Sequence, residues 1–108
     1  YPSQALLEAM ACGAAVVATD VGLTRKLVDE SVGTRVEATP AAVADAIVGL
    51  LENPAHAAAL GRQGRERVVR EHSMDVYLNY LLTRYDRWAA QAADSRMTRC
   101  PSRSSCLT

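Results

Sequence analysis

The stretch that most constrains this chain is SQALLEAMACGAAVVAT, residues 3–19, where a run of strong helix formers meets a glycine and then a run of apolar and β-branched residues. Residues 3–12 place Leu6, Leu7, Met10 and Ala11 on one apolar side of a helix, and Gly13 stands where a left-handed residue closes it. Residues 14–19, AAVVAT, do not alternate between apolar and polar, the pattern of a strand covered on both faces in a parallel sheet. Asp20 and Gly22 end that strand. A helix turning through one glycine into a buried strand belongs to an α/β layer structure.

The rest of the chain extends the same order. Residues 23–30, LTRKLVDE, suit about two turns of helix, and TRVEA after Gly33 alternates as a short edge strand does. Thr39 and Pro40 pair a capping side chain with a proline at the first helical position, and Val43, Ile47, Leu50 and Leu51 then recur at helical spacing. Asn53 and Pro54 repeat the device. They open a helix with Leu60, Val68 and Val69 as its apolar positions and Arg62, Arg65, Glu66, Arg67, Arg70 and Glu71 in solvent, Glu71 following Arg67 at salt-bridge spacing. Ser73 caps a last helix carrying Val76, Tyr77, Tyr80, Leu81, Arg84, Tyr85 and Trp88 in steps of three and four. Such a stripe belongs against something, and a neighbouring domain is the expected partner. From Asp94 onward the sequence is polar and aperiodic and reads as a disordered tail.

Composition narrows the function. Twelve basic residues balance twelve acidic ones, so nothing calls for nucleic acid or an anionic membrane. No apolar run reaches the roughly 20 residues that span a bilayer, and no signal-peptide pattern opens the chain, which points to the cytoplasm. Cys12, Cys100 and Cys106 have neither zinc nor disulfide spacing, and His56 and His72 lack companions for a metal. Ser3, Thr24, Ser31 and Ser73 have no nucleophile-elbow context. The 108 residues suffice for one core, and they enter a helix directly from Tyr1, so a longer parent chain is expected.

The start of the first helix is where chemistry can reside. Ser3, Gln4 and Ala5 present first-turn amides, which together with the helix dipole favour an anion. Glu8, one turn further in, is a carboxylate able to accept hydrogen bonds from two vicinal hydroxyls while those amides hold phosphate. The plain alternative for Glu8 is a solvated helix glutamate.

LLEAMACGAAVVATDVG, residues 6–22, resembles the signature of retaining family 4 (group 1) glycosyltransferases, E-x7-E followed by AMACG-x-PVVATDVGG. The resemblance continues through Gly33 and Thr34, the Thr39–Pro40 and Asn53–Pro54 helix starts and the helix near Ser73, over residues 1–91. It implies the C-terminal donor-binding part of a GT-B enzyme: an α/β, partial Rossmann-like domain with short parallel strands and a helical C-terminal part, followed by a disordered tail, 92–108. It further implies that Glu8, as the second glutamate, binds the ribose of a nucleotide-diphosphate sugar, and that Ser3, Gln4 and Ala5 lie along its diphosphate. The first glutamate would fall just before Tyr1. Ser3 stands where the family often has glycine, and Leu23 replaces the second glycine of VGG.

The implied reaction moves a sugar from a nucleotide-sugar donor to an acceptor, with no metal cofactor and no catalytic residue in these 108 positions. The implied partners are the donor and an N-terminal GT-B domain outside the sequence, without which the chain is expected to be inactive. Sugar, base and acceptor stay open, as does a peripheral position at a membrane. Two other readings stand beside this one: a nonenzymatic helical interaction module built on the aromatic stripe of residues 76–88, and an inactive remnant.

Overall fold

The computed structural model describes residues 3–98, with side chains through Arg96. Its elements run α1 (Gln4–Ala11), β1 (Val16–Thr19), α2 (Thr24–Leu27), β2 (Gly33–Val36), α3 (Pro40–Glu52), α4 (Pro54–His72) and α5 (Met74–Thr98). They form two compact units, one ending at Ser73 and one beginning at Met74. The first is α/β and mostly helical.

In the first unit β1 and β2 pair in parallel, Val16 opposite Gly33 through Thr19 opposite Val36. The turn from α1 into β1 follows from its glycine. Gly13 has φ 77°, its N–H donates to the Met10 carbonyl at 2.9 Å and the Ala14 N–H donates to Ala9 at 3.1 Å. These paired bonds satisfy carbonyls that a helix end otherwise leaves open. Val16 then enters a core with Met10, Leu27, Val28 and Val32, against which Leu6, Leu7, Ala9, Ala18 and Val68 pack.

The Thr39 and Asn53 capping signals act as the sequence predicts, their side chains accepting from the N–H groups of Ala42 and His56 with Pro40 and Pro54 in the first turns of α3 and α4. Ser3, expected within the first turn of α1, instead stands before it as the cap and accepts from the Leu6 N–H. Three expectations about packing are corrected. The second helix makes one turn, Thr24–Leu27, because Asp29 draws the chain into a turn by accepting from the Ser31 N–H and hydroxyl at 2.9 and 2.5 Å. Of β1 only Val16 is buried, since two four-residue strands give α3 little sheet to cover. For the same reason α3 buries none of its apolar row, leaving Ile47 45% and Leu51 74% exposed.

The charged face of α4 differs from expectation too. Arg67 is not solvated but donates to the Leu27 carbonyl at 3.3 Å and the Ser31 hydroxyl at 3.2 Å, and pairs with Asp29 at 2.8 Å. Glu71 pairs instead with Arg70 at 2.8 Å. The Ser31 and Arg67 donors around Asp29 hold its carboxyl well below its ordinary range, at about 2. Arg65 donates to the Ala11 carbonyl at the end of α1. Just before these arginines α4 meets α1 and its turn through buried Gly61 and Gly64. A Cβ on Gly61 would overlap the Gly13 carbonyl oxygen and lie 2.9 Å from its carbon.

The second unit is α5, a 25-residue helix. Asp75 in its first turn and Arg96 in its last complement the helix dipole. Tyr85 and Trp88 meet edge to face at 5.6 Å, and the Arg84 guanidinium lies 5.1 Å from the Tyr80 ring centre. Residues 94–98 are helical, which corrects the expectation of a structureless tail from Asp94; the remainder of that tail, 99–108, lies outside the described residues. Among the described residues no helix is long and apolar enough to cross a membrane, and no cluster of three His, Cys, Asp or Glu could hold a metal.

Candidate functional site

Eight helical residues span about 12 Å and four strand residues about 13 Å, so α1 and β1 match in length across the turn at Gly13. The first turn of α1 therefore returns to the end of the layer where β1 and β2 finish. In open α/β sheets that end is where ligands are held.

Ser3 sits there in an extended conformation, φ −64° and ψ 122°, with its hydroxyl accepting from the Leu6 N–H at 3.4 Å and its carbonyl from the Leu7 N–H at 3.2 Å. The amides of Gln4 and Ala5 precede the first rung of the helical ladder and point out of its end. Ser3, Gln4, Ala5 and Glu8 are all exposed. Gln4 and Glu8, four apart, share a face of α1. Among the described residues the Glu8 carboxylate makes no hydrogen bond or ion pair, while its backbone carbonyl accepts from Cys12 at 3.0 Å. Tyr1 and Pro2 lie outside the described residues. All four predicted positions thus fall within two turns at one end of one helix, and no other described side chain is fixed against them.

The same end of the sheet carries groups that the sequence reading left out. Asp20 follows β1, and its N–H donates to the Val36 carbonyl at 2.8 Å. Its carboxylate meets Arg25 of α2 at 3.4 Å and Arg35 of β2 at 3.6 Å. The signal for this cluster was weak, since Arg25 and Arg35 lie five and fifteen positions from Asp20 and only the parallel register brings Arg35 alongside. Beside it an open groove of ≈ 500 Å³ is lined by Thr19, Ala38, Thr39, Pro40, Val43, Ala44 and Ile47. That groove is almost wholly apolar. A second hollow of ≈ 450 Å³ borders β2 and α4 at Glu30, Gly33, Thr34, Arg35, His56 and Leu60. Cys12 is a free, exposed thiol just past α1.

Comparison with known proteins accords with the α/β fold of the first unit. A search of the curated proteins returns no match. Among solved structures, the sucrose-phosphate synthase of Thermosynechococcus elongatus, a GT-B glycosyltransferase, matches with a TM-score of 0.72 and 35% identity. The match covers 82% of this chain and 23% of that one, so the chain spans about a quarter of the length of this relative. The family model described as glycosyl transferase-like matches residues 1–83. With most of its length in that match, and an α/β unit of the kind found in GT-B enzymes, the chain belongs to the glycosyl transferase-like family.

Proposed function

We propose that this chain supplies the donor-holding part of a glycosyltransferase that moves a sugar from a nucleotide-diphosphate sugar to an acceptor. The amides of Ser3, Gln4 and Ala5 receive the diphosphate, and Glu8 accepts hydrogen bonds from the ribose hydroxyls. The observation that carries this reading is the placement of the α1 N-terminus, with Glu8 one turn behind it and unengaged, at the end of the sheet where β1 and β2 finish.

The electrostatics are of the right sign. First-turn amides and the helix dipole supply positive potential without a metal, and donor binding is accordingly metal-independent in this reading. The Ser3 hydroxyl contributes indirectly. By capping Leu6 it holds the first turn in shape and leaves the more terminal amides for the ligand.

Transfer itself needs an acceptor-binding domain across the cleft, since a departing diphosphate and a positively charged sugar are stabilised only where water is excluded. That domain is proposed as the partner of this chain within the whole enzyme.

The test is titration of the chain with uridine and guanosine diphosphates, followed by backbone amide NMR with and without EDTA. The expected result is saturable shifts at Gln4, Ala5 and Glu8, insensitive to EDTA. Glu8→Gln should weaken nucleoside diphosphate binding about tenfold and leave inorganic pyrophosphate binding unchanged, the loss of a charge-assisted bond to hydroxyls. Equal weakening for both ligands would overturn the ribose assignment. Absence of shifts in α1 would overturn the seat.

A further inference from the structure

Two of the four arginines in the first unit that make ion pairs are matched one to one with an acid. Arg67 has Asp29 and Arg70 has Glu71. Asp20 is different, because two guanidinium groups converge on its single carboxylate, Arg25 at 3.4 Å and Arg35 at 3.6 Å. One positive charge in that cluster is left over. Glu37, two residues beyond Arg35, and Glu30, which borders the same hollow as Arg35, make no ion pair with either arginine.

The contacts are long for charge-assisted bonds, which lie near 2.7–2.9 Å, so neither guanidinium is locked into the fork geometry it can make with a carboxylate. Each keeps donors for another anion. Arg35 is anchored on β2 with its side chain 34% exposed, whereas Arg25 on α2 is 64% exposed and reaches Asp20 by a single 3.4 Å hydrogen bond. Asp20 is fixed by its backbone bond to Val36. A carboxylate held by the sheet thus keeps two arginines side by side at the end where the strands finish.

From this geometry we infer that the Arg25–Asp20–Arg35 cluster is an anion seat that takes a phosphate group of a small-molecule ligand. Planar guanidinium forks match phosphate oxygens, and a second anion on a pair already sharing one acid restores charge balance. The seat requires neither Glu8 nor the α1 amides, so it stands or falls apart from the donor reading. The phosphate comes either from a nucleoside diphosphate or from a separate phosphorylated compound, and these two sources are distinguishable.

The experiment uses the whole chain and follows arginine side-chain Nε–Hε signals by NMR during titration with inorganic pyrophosphate, uridine diphosphate and glucose 6-phosphate, with sodium chloride matched for ionic strength. Expected are saturable shifts of Arg25 and Arg35 absent from the chloride control. Arg25→Gln and Arg35→Gln should each weaken binding roughly threefold to fivefold, the range for a partly exposed charge pair. Asp20→Asn should strengthen it, because removing the shared acid frees both guanidiniums. A role confined to bracing β1 against β2 would give the opposite sign. Shifts with uridine diphosphate but not glucose 6-phosphate assign the seat to the donor, and the reverse assigns it to a second compound. No shift with any ligand, shifts reproduced by chloride, or Asp20→Asn weakening binding would each overturn the inference. If the α1 amides respond while Arg25 and Arg35 do not, this inference fails and the donor reading survives. If the arginines respond while α1 stays silent, the outcome is reversed.

Discussion

Met10, Val28 and Val32 are at most 1% exposed, whereas Tyr77, Tyr80, Tyr85 and Trp88 in α5 are each more than half exposed. The chain before Ser73 holds its small core by contacts between elements far apart in sequence: α1 against α4, β1 against β2, and a loop against α4 through Arg67. The helix after it is held by neighbours along its own axis. Its ring pair, its cation–π contact and the Thr83 and Ser95 hydroxyls bonded to carbonyls four residues back all join residues within one turn. Aromatic content and burial therefore run in opposite directions here. A wide apolar stripe ensures a helix without ensuring a core, and six buried apolar side chains suffice when backbones approach closely enough.

The contrast can be broken most severely at Gly61. Gly61→Ala drives a Cβ into the Gly13 backbone, which has no flexible end to yield, and should cost about 3 kcal/mol or more in urea unfolding monitored by α/β circular dichroism. A cost below about 1 kcal/mol would mean that α4 and the α1 turn are not pressed together. Next comes a matched pair. Met10→Ala should cost about 3 kcal/mol, and Trp88→Ala less than about 1 kcal/mol, because the first empties a filled core and the second trims a half-exposed ring. If Trp88→Ala costs as much as Met10→Ala, the stripe of α5 is covered in solution and the contrast collapses.

A smaller effect depends on pH. The Asp29 carboxyl falls from its ordinary 3.8 to about 2 in the folded chain, so between those values the unfolded state binds more protons and stability rises with pH. Through the hydrogen bonds it accepts from Ser31 and its pairing with Arg67, the Asp29 carboxylate is therefore fully stabilising above about pH 4, and that contribution is lost as pH falls through about 2. Its side chain is 50% exposed, and with solvent screening its worth is about 1 kcal/mol. Asp29→Asn should show that loss at pH 6 and little difference from the parent at pH 2; a constant gap across the range would mean that Ser31 and Arg67 do not favour the charged form of this carboxyl. Smallest is Gly49→Ala, at a helical position with no heavy atom within 4 Å of the new methyl, which should add about 0.5 kcal/mol. Loss rather than gain there would show that α3 has a neighbour on that side.

What could be read from the sequence was what lies within a few residues. Thr39 and Asn53 announce helix starts through side chains acting three positions on, and Gly13 announces a turn through its own φ. Glu8 and the first turn of α1 were legible for the same reason, because a helix end and its spacing are local. Arg67 was misread as solvated since its partners, Leu27, Asp29 and Ser31, come from the end of α2 and the loop after it, some forty residues earlier. Gly61 and Gly64 gave no sign of their role, as a close crossing removes side chains rather than adding them. The Asp20 cluster stayed hidden until the parallel register set Arg35 beside β1. Residues 94–98 looked structureless by composition but continue α5, whose extension adds one backbone bond per residue once the helix exists.

The crossing of Gly61 over Gly13 has a consequence for how the molecule opens. Further along that crossing Gly64 covers wholly buried Met10, with Ala9 packed on the same core, so the N–H groups of this last turn of α1 are expected to meet solvent only when α4 lifts away. Their hydrogen–deuterium exchange should then report unfolding of the entire α/β unit, while the amides of Gln4 and Ala5 at the other end of the same helix exchange freely. A single eight-residue helix would carry both the slowest clock in the chain and one of the fastest.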